Sequence, residues 1–347
     1  MKKLFAILLT LTLAVGMTGV AGAEYALVED TTDLKIPCEP IELTFACNAT
    51  IAGTTMGDAI YKYVEELKTW TDGNFVINIF DGGQLGMDME MISSTQMGMI
   101  DLYWGNTANL TNLVSNLAVC DIGGLYASCE ATNNVIKNGF LDLIQPYCEA
   151  QSFEMVGMYS TMFREFSSNK PVTCLADMKG QKIRTQENKY HQAFWNALGC
   201  SAVPLTMSDL YISLQQGMID ACENPWGSIW GNKIYEVQKY FVQTNHIPFI
   251  HIWIMNLNHF NSLTEAQHQA LAQCMYMIEK YNVENTAIDD QGVMERVTAA
   301  GGQITECPQD ILDAFPAATA AVVELMKQSV DPAFVDNYLE LAAQYAK

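Results

Sequence analysis

The sequence predicts a two-lobed α/β protein with a hinge, a central cleft and a long helix spanning both lobes. Three observations carry this. Helix and strand periodicities alternate along the chain. The alternation restarts near the middle, after Gly180. The 347 residues are too many for one compact core. No repeat, low-complexity tract or flexible linker separates the halves, so the chain is expected to cross between them more than once. Ligands favour such interdomain clefts.

The elements follow from local pattern. Leu43 to Ala46 reads as a short buried strand. Met56, Ile60, Tyr63 and Leu67 recur at spacings of four, three and four, one face of a helix. Phe75 to Phe80 is a strand closed by Asp81-Gly82-Gly83. A Met-rich helix follows from Asp88, and Asp101 to Trp104 returns as a strand. Glu130 to Ala150 is helical, and Phe153 to Tyr159 is a strand. This βαβα order implies a mostly parallel sheet covered by helices. In the second half, Lys182 to Gln186, Ala202 to Leu205 and Met218 to Cys222 are strands separated by helices. Thr206 with Asp209 resembles a capping box. Ile247 to Asn256 is apolar and β-rich. Thr264 with Gln267 caps a helix that continues almost to Ala299, far longer than average. Two more helical segments follow Pro308.

Composition narrows the function. Lys2 and Lys3, the apolar run Leu4 to Val15, and Ala21-Gly22-Ala23 read as a secretory signal peptide cut after Ala23. The run is short for a membrane span, which needs about 20 apolar residues. The exported chain is expected in the periplasm. Loss of Lys2 and Lys3 takes the net charge from −21 to −23, which repels phosphate backbones and argues against nucleic acid as a partner. The ten cysteines form no CxxC motif, so one or two disulfides are expected, and no metal site or cofactor.

No GxSxG, HExxH, P-loop or GxGxxG pattern marks an enzyme. The arginines are more telling. Of 18 basic residues only Arg164, Arg184 and Arg296 are arginine. Arginine offers a fixed, two-pronged grip on a carboxylate that lysine cannot. Composition alone favours structural ion pairs for Arg164 and Arg184. Asn48 and Thr50 follow the first strand, and Trp104 ends another. These are the strand ends where open α/β sheets bind ligands. Trp226 and Trp230 read either as an i, i+4 core pair or as an aromatic wall for a hydrophobic acid.

Three linked stretches carry a resemblance. They are Leu175-Ala-Asp-Met-Lys-Gly-Gln-Lys-Ile-Arg184, Leu198-Gly-Cys-Ser-Ala-Val-Pro204, and Asp209 through Gln215-Gln-Gly217-Met-Ile-Asp-Ala-Cys-Glu223-Asn224-Pro225. The flanks Arg164-Glu-Phe-Ser-Ser-Asn-Lys-Pro171 and Glu236-Val-Gln-Lys-Tyr240 agree. Together they resemble the substrate-binding proteins of TRAP transporters, the DctP-like family of periplasmic solute receptors. The resemblance implies a periplasmic binding protein fold and closure around a small organic acid. It implies a carboxylate held by Arg184, with Arg164 and Asn224 assisting and Glu223 beside them. It also implies delivery to the membrane subunits of an ion-driven TRAP-type permease. Thr185-Gln186 and Ala221-Cys222 depart from the family's usual residues near the expected pocket, which bears on the substrate.

The sequence therefore leads to a signal peptide over 1–23, a first lobe over 24–161 and 250–288, and a second over 162–249 and 289–347. The expected activity is non-catalytic capture of a carboxylate, with an apolar or aromatic group favoured, by a monomer. The expected ligand-binding residues are Arg184, Arg164, Asn224, Trp226, Asn48, Thr50, Trp104 and Glu223. A periplasmic enzyme acting on an organic acid, or a ligand sensor for a signalling receptor, are the alternatives.

Overall fold

The computed structural model describes residues 25–346; the expected signal peptide lies outside the described residues. Among the described residues, nine strands join one sheet: β1 (Ile41–Ala46), β2 (Phe75–Phe80), β3 (Leu102–Asn106), β4 (Phe153–Ser168), β5 (Lys182–Thr185), β6 (Ser201–Pro204), β7 (Ala221–Asn224), β8 (Tyr240–Asn256) and β9 (Gln303–Glu306). Their order is β2-β1-β3-β8-β4-β7-β5-β6, with β9 on β8. The α/β alternation and the two lobes are as the sequence predicts. The linkage between them differs from a plain parallel sheet. β1–β3 are mutually parallel, and so are β5–β7, but each set abuts an antiparallel β4–β8 ribbon.

The ribbon is the frame of the molecule. β4 has 16 residues and β8 has 17, so one pair of strands passes through both lobes. The sequence patterns gave only Phe153–Tyr159 and Ile247–Asn256 of them. The shortfall has a cause in the register, which shifts at Met155/Gly157, Ser160/Met162 and Arg164/Phe166. Each bulge breaks the two-residue alternation by which a strand is read. At the middle bulge Asn133 replaces the lost ladder bonds. Its amide accepts from the Ser160 N–H at 2.7 Å and donates to the Ser160 carbonyl at 2.8 Å.

Three apolar clusters surround the ribbon. One fills the first lobe around Phe45, Trp253 and Leu271. A smaller one fills the second lobe around Leu214, Trp226 and Phe241. The largest lies under both, from Met155 to Trp195 and Phe315. The helix Glu265–Ala299 opens with a capping box, as expected. The Gln267 N–H donates to Thr264 Oγ1 at 3.3 Å, and the Thr264 N–H to Gln267 Oε1 at 2.8 Å. It packs on the first-lobe helix Thr55–Trp70, on β4, and on the second-lobe helix Trp226–Gly231, so it braces both lobes. The C-terminal helix Pro332–Tyr345 packs on the helix Cys129–Val135, while Gln309–Met326 packs on Lys189–Ala197. No described helix is long and apolar enough to cross a membrane.

Two local expectations are corrected. Thr206 forms no capping box: its hydroxyl donates to Asp209 Oδ2 at 2.8 Å instead of accepting from the backbone. All ten cysteines are free thiols, and six are buried, serving as small apolar side chains rather than cross-links.

The turn after β1 is packed tightly against the helix that follows it. It runs through Asn48 and Thr50 into the helix Thr55–Trp70, and the Ile51 carbonyl presses on that helix. A Cβ at Gly57 would lie 1.8 Å from this oxygen, whereas Gly227 and Gly231 have open space. Gly57→Ala should therefore lower the thermal midpoint clearly, while Gly227→Ala leaves it unchanged or raises it slightly. Equal midpoints for the two variants, by calorimetry, would refute this account of the turn.

Candidate functional site

Strand direction places the site. β3 runs from Leu102, opposite Met255, to Asn106, opposite His251. β7 runs from Ala221, opposite Ser168, to Asn224, opposite Glu165. The carboxyl ends of the parallel strands in both lobes thus converge on the middle of the β4–β8 ribbon. That is where open α/β sheets bind ligands. Arg164 and Asn224 stand at this point, and Arg184 lies one strand away, opposite Cys222.

The two arginines differ in what they have left to offer. Arg164 is saturated. Its Nε donates to Glu223 Oε2, and its Nη2 donates to Glu223 Oε1 at 3.0 Å and to the Glu223 carbonyl at 2.7 Å. With its amide oxygen turned to the guanidinium, Gln186 accepts from both Nη atoms. Arg184 is held by one bond, Nε to the Leu205 carbonyl at 2.8 Å. Its Nη1 is buried without a partner, as is Asn224 Nδ2. Burial pulls the Arg184 pKa below its ordinary value, with Glu223 opposing. An arginine nonetheless stays charged in a protein. It is a buried cation with an open edge.

Behind the arginines lies a chain of alternating charge that the sequence reading missed. Glu223 accepts from Arg164, while His246 Nε2 lies 3.2 Å from Glu223 Oε2. His191 Nδ1 faces Glu223 Oε1 at 3.8 Å, and its Nε2 meets Asp121 Oδ1 at 3.0 Å. Asp121 also accepts from Asn188 at 2.8 Å and from Thr111 at 3.3 Å. Burial alone would raise the Glu223 carboxyl, but Arg164, helped by both histidines, holds it well below its usual range. Burial alone would lower the His191 imidazole, but Asp121 and Glu223 outweigh it and lift it to about 9. His246 stays low because burial and the neighbouring positive charges exceed the pull of Glu223. His191 is therefore charged and His246 neutral at pH 7. Histidines at 191 and 246 carry no spacing signal, since only the fold brings them to Glu223.

On the first-lobe side a row of rings continues from the clamp. The Arg164 guanidinium lies 5.8 Å from the Phe249 ring, and Phe249 meets His251 edge-on at 4.9 Å. His251 stacks on Trp104 at 5.4 Å and 11°. His251 Nε2 is 3.2 Å from Thr161 Oγ1, while His251 Nδ1 and Trp104 Nε1 are buried without partners. Burial pushes His251 down to about 3, so it is neutral. The structure thus brings Arg184, Arg164, Asn224, Glu223 and Trp104 to the ribbon's middle. Trp226 is placed in the second-lobe core against Phe241, at 5.8 Å. It does not pair with Trp230, which stacks on Tyr235 at 4.4 Å. Asn48 sits on the first-lobe rim, where its amide donates to Asp88 at 3.0 Å, and Thr50 is exposed beside it.

Residues 46–329 match the bacterial extracellular solute-binding proteins of family 7, the DctP family. The chain belongs to this family. An uncharacterized Haemophilus influenzae protein is 30% identical over 72% of the chain and 76% of its own length. The C4-dicarboxylate-binding periplasmic protein DctP of Rhodobacter capsulatus is 26% identical over 70% and 73%. The crystal structure of a TRAP periplasmic solute-binding protein from Desulfovibrio salexigens with bound orotic acid superposes with a TM-score of 0.82. It is 23% identical and covers 88% of the chain and 99% of its own. The family comprises solute receptors, not enzymes.

In this solute-binding protein a second buried charge site lies on the ribbon. Glu165, beside Arg164 in sequence, accepts from the Asn245 N–H at 3.0 Å, where Asn245 adopts a φ of 42°. Burial pushes the Glu165 carboxyl up to about 8, with Asp290 of the long helix adding repulsion. Burial, then Asp289, raises Asp290 to about 7. Both groups hold protons more tightly folded than unfolded. Their contribution to stability is full below about pH 4 and is lost as pH rises through 7 to 8. Glu165→Gln, which keeps an acceptor for Asn245, should flatten the fall in thermal midpoint between about pH 5 and 8. Parallel curves for variant and wild type would show that Glu165 is ionised throughout. Glu223→Gln should remove the counter-charge of Arg164 and destabilise the fold by about 3–5 kcal/mol. In the same variant the His191 titration, followed by NMR, should move down from about 9.

Proposed function

We infer that the protein is exported to the periplasm, captures a small organic acid between its lobes and hands it to the membrane subunits of a TRAP-type permease, without making or breaking a bond. The single observation that carries this is Arg184. The residue is 2% exposed, its guanidinium is fixed by one bond to Leu205, and it keeps a buried, unpartnered Nη1. A buried cation with an open edge requires an anionic acceptor, and a carboxylate fits the planar fork. The unpartnered Asn224 Nδ2 supplies a neutral donor beside it. Arg164 acts through Glu223 and Gln186, whose bonds to it hold the pocket wall. The ligand groups named for relatives, a C4-dicarboxylate and orotate, share a carboxylate with this reading. Family membership and the secretory signal read in residues 1–23 support the membrane partner and the periplasmic location.

Closure would use the ribbon as hinge. The bulges at Ser160/Met162 and Arg164/Phe166 lie between the lobes, where a strand bends most easily.

The test is a thermal-shift and calorimetric screen of wild type and Arg184→Ala against organic acids, after bound ligand is removed by unfolding and refolding. An acid at about 100 times its Kd should stabilise the wild type by roughly 2.7 kcal/mol and leave the variant unmoved. Arg184→Lys keeps the charge but loses the fork, and should weaken binding at least tenfold. Wild-type-like binding by Arg184→Ala would overturn the clamp. Turnover of a bound acid would overturn the non-catalytic reading.

A further inference from the structure

The charges around the clamp can be counted. Arg164, Arg184 and His191 are positive, and Glu223 and Asp121 are negative. The cluster holds one positive charge more than it neutralises, and the open edge of Arg184 is where that charge is offered. Glu187 also faces Arg184, but it is exposed and screened by water. Among the described residues, the row of contacts running from Arg164 toward the first lobe holds no further cation. It consists of Phe249, His251, Thr161 and Trp104, with His251 neutral. Phe249 is the half-exposed member of this row. The unpartnered atoms along it, Trp104 Nε1 and His251 Nδ1, are uncharged.

Resting on the carboxylate reading of Arg184, we propose that the cleft selects an acid with a single negative charge on a flat, unsaturated body, with Phe249, His251 and Trp104 as the specificity-determining wall. One carboxylate neutralises the surplus charge. A second carboxylate on the same molecule would lose its water against neutral rings and find no cation, a cost that neutral hydrogen bonds do not offset. A flat ring gains from the aromatic row by stacking or edge contact, where a saturated ring of similar size gains only area.

The experiment uses two matched ligand pairs on the purified protein, read by calorimetry at pH 7.5. Terephthalate and 4-carbamoylbenzoate have one shape and differ by one charge. Benzoate and cyclohexanecarboxylate differ in flatness. The carbamoyl acid should bind at least tenfold tighter than terephthalate, and benzoate tighter than cyclohexanecarboxylate. Phe249→Ala should reduce the second preference while Arg184 still binds the carboxylate. Equal or tighter binding of terephthalate overturns the single-charge rule. Failure of all four acids, while galactonate or succinate binds the wild type and not Arg184→Ala, overturns the flat-body assignment and leaves the clamp standing. Failure of every acid removes both.

Discussion

A carboxylate shut off from water keeps its charge only when cations and donors replace the lost hydration. Glu223 meets that condition at the centre of this molecule. Arg164 grips both its oxygens, and two histidines stand on its other sides. Each partner comes from a different part of the chain: the ribbon strands β4 and β8, and the helix Lys189–Ala197. The requirement to satisfy this one group therefore fixes how the second-lobe elements sit on the ribbon. It also consumes Arg164, which is why Arg184 alone of the pair presents a free edge.

The same arrangement bears on how a strongly acidic protein would attract the anion proposed for it. The overall charge of −21 opposes approach. Inside the cleft the local balance has the opposite sign, because His191 is kept protonated between Asp121 and Glu223. Burial magnifies that local field, since nearby charges interact more strongly where water is excluded. Removing either acid would change the number of positive charges behind the clamp as well as the stability of the fold. The groups proposed for recognition thus also hold the fold together.

The ribbon carries the opposite property. Its strands leave their ladder at three bulges, and side chains such as Asn133 take over the abandoned backbone groups. A continuous strand pair gives the two lobes a fixed axis, and bulges along it allow bending without breaking the sheet. The long helix from Glu265 to Ala299 runs alongside and packs on both lobes. Burial raises both Glu165 on the ribbon and Asp290 on the long helix, to about 8 and about 7, so the charge they carry changes across neutral pH.

Much of this was legible in the sequence. The α/β alternation, the long capped helix and Arg184 are local signals, because periodicity, capping residues and a rare residue type are all properties of short stretches. The resemblance to solute receptors rests on such stretches, from Leu175 to Pro225 and in the flanks Arg164–Pro171 and Glu236–Tyr240. What only the tertiary structure decided is pairing. Whether Arg164 is free or spoken for depends on Glu223, which lies 59 residues away and is brought opposite it by strand register. His191 and His246 look unremarkable in sequence and acquire a role only beside that carboxylate. Trp226 enters a core because Phe241 of β8 lies over it, and the cysteines stay apart because each is packed separately. Sequence determined which elements form, since that is settled by neighbours along the chain. The fold decided which charges remain uncompensated, since that is settled by neighbours in space.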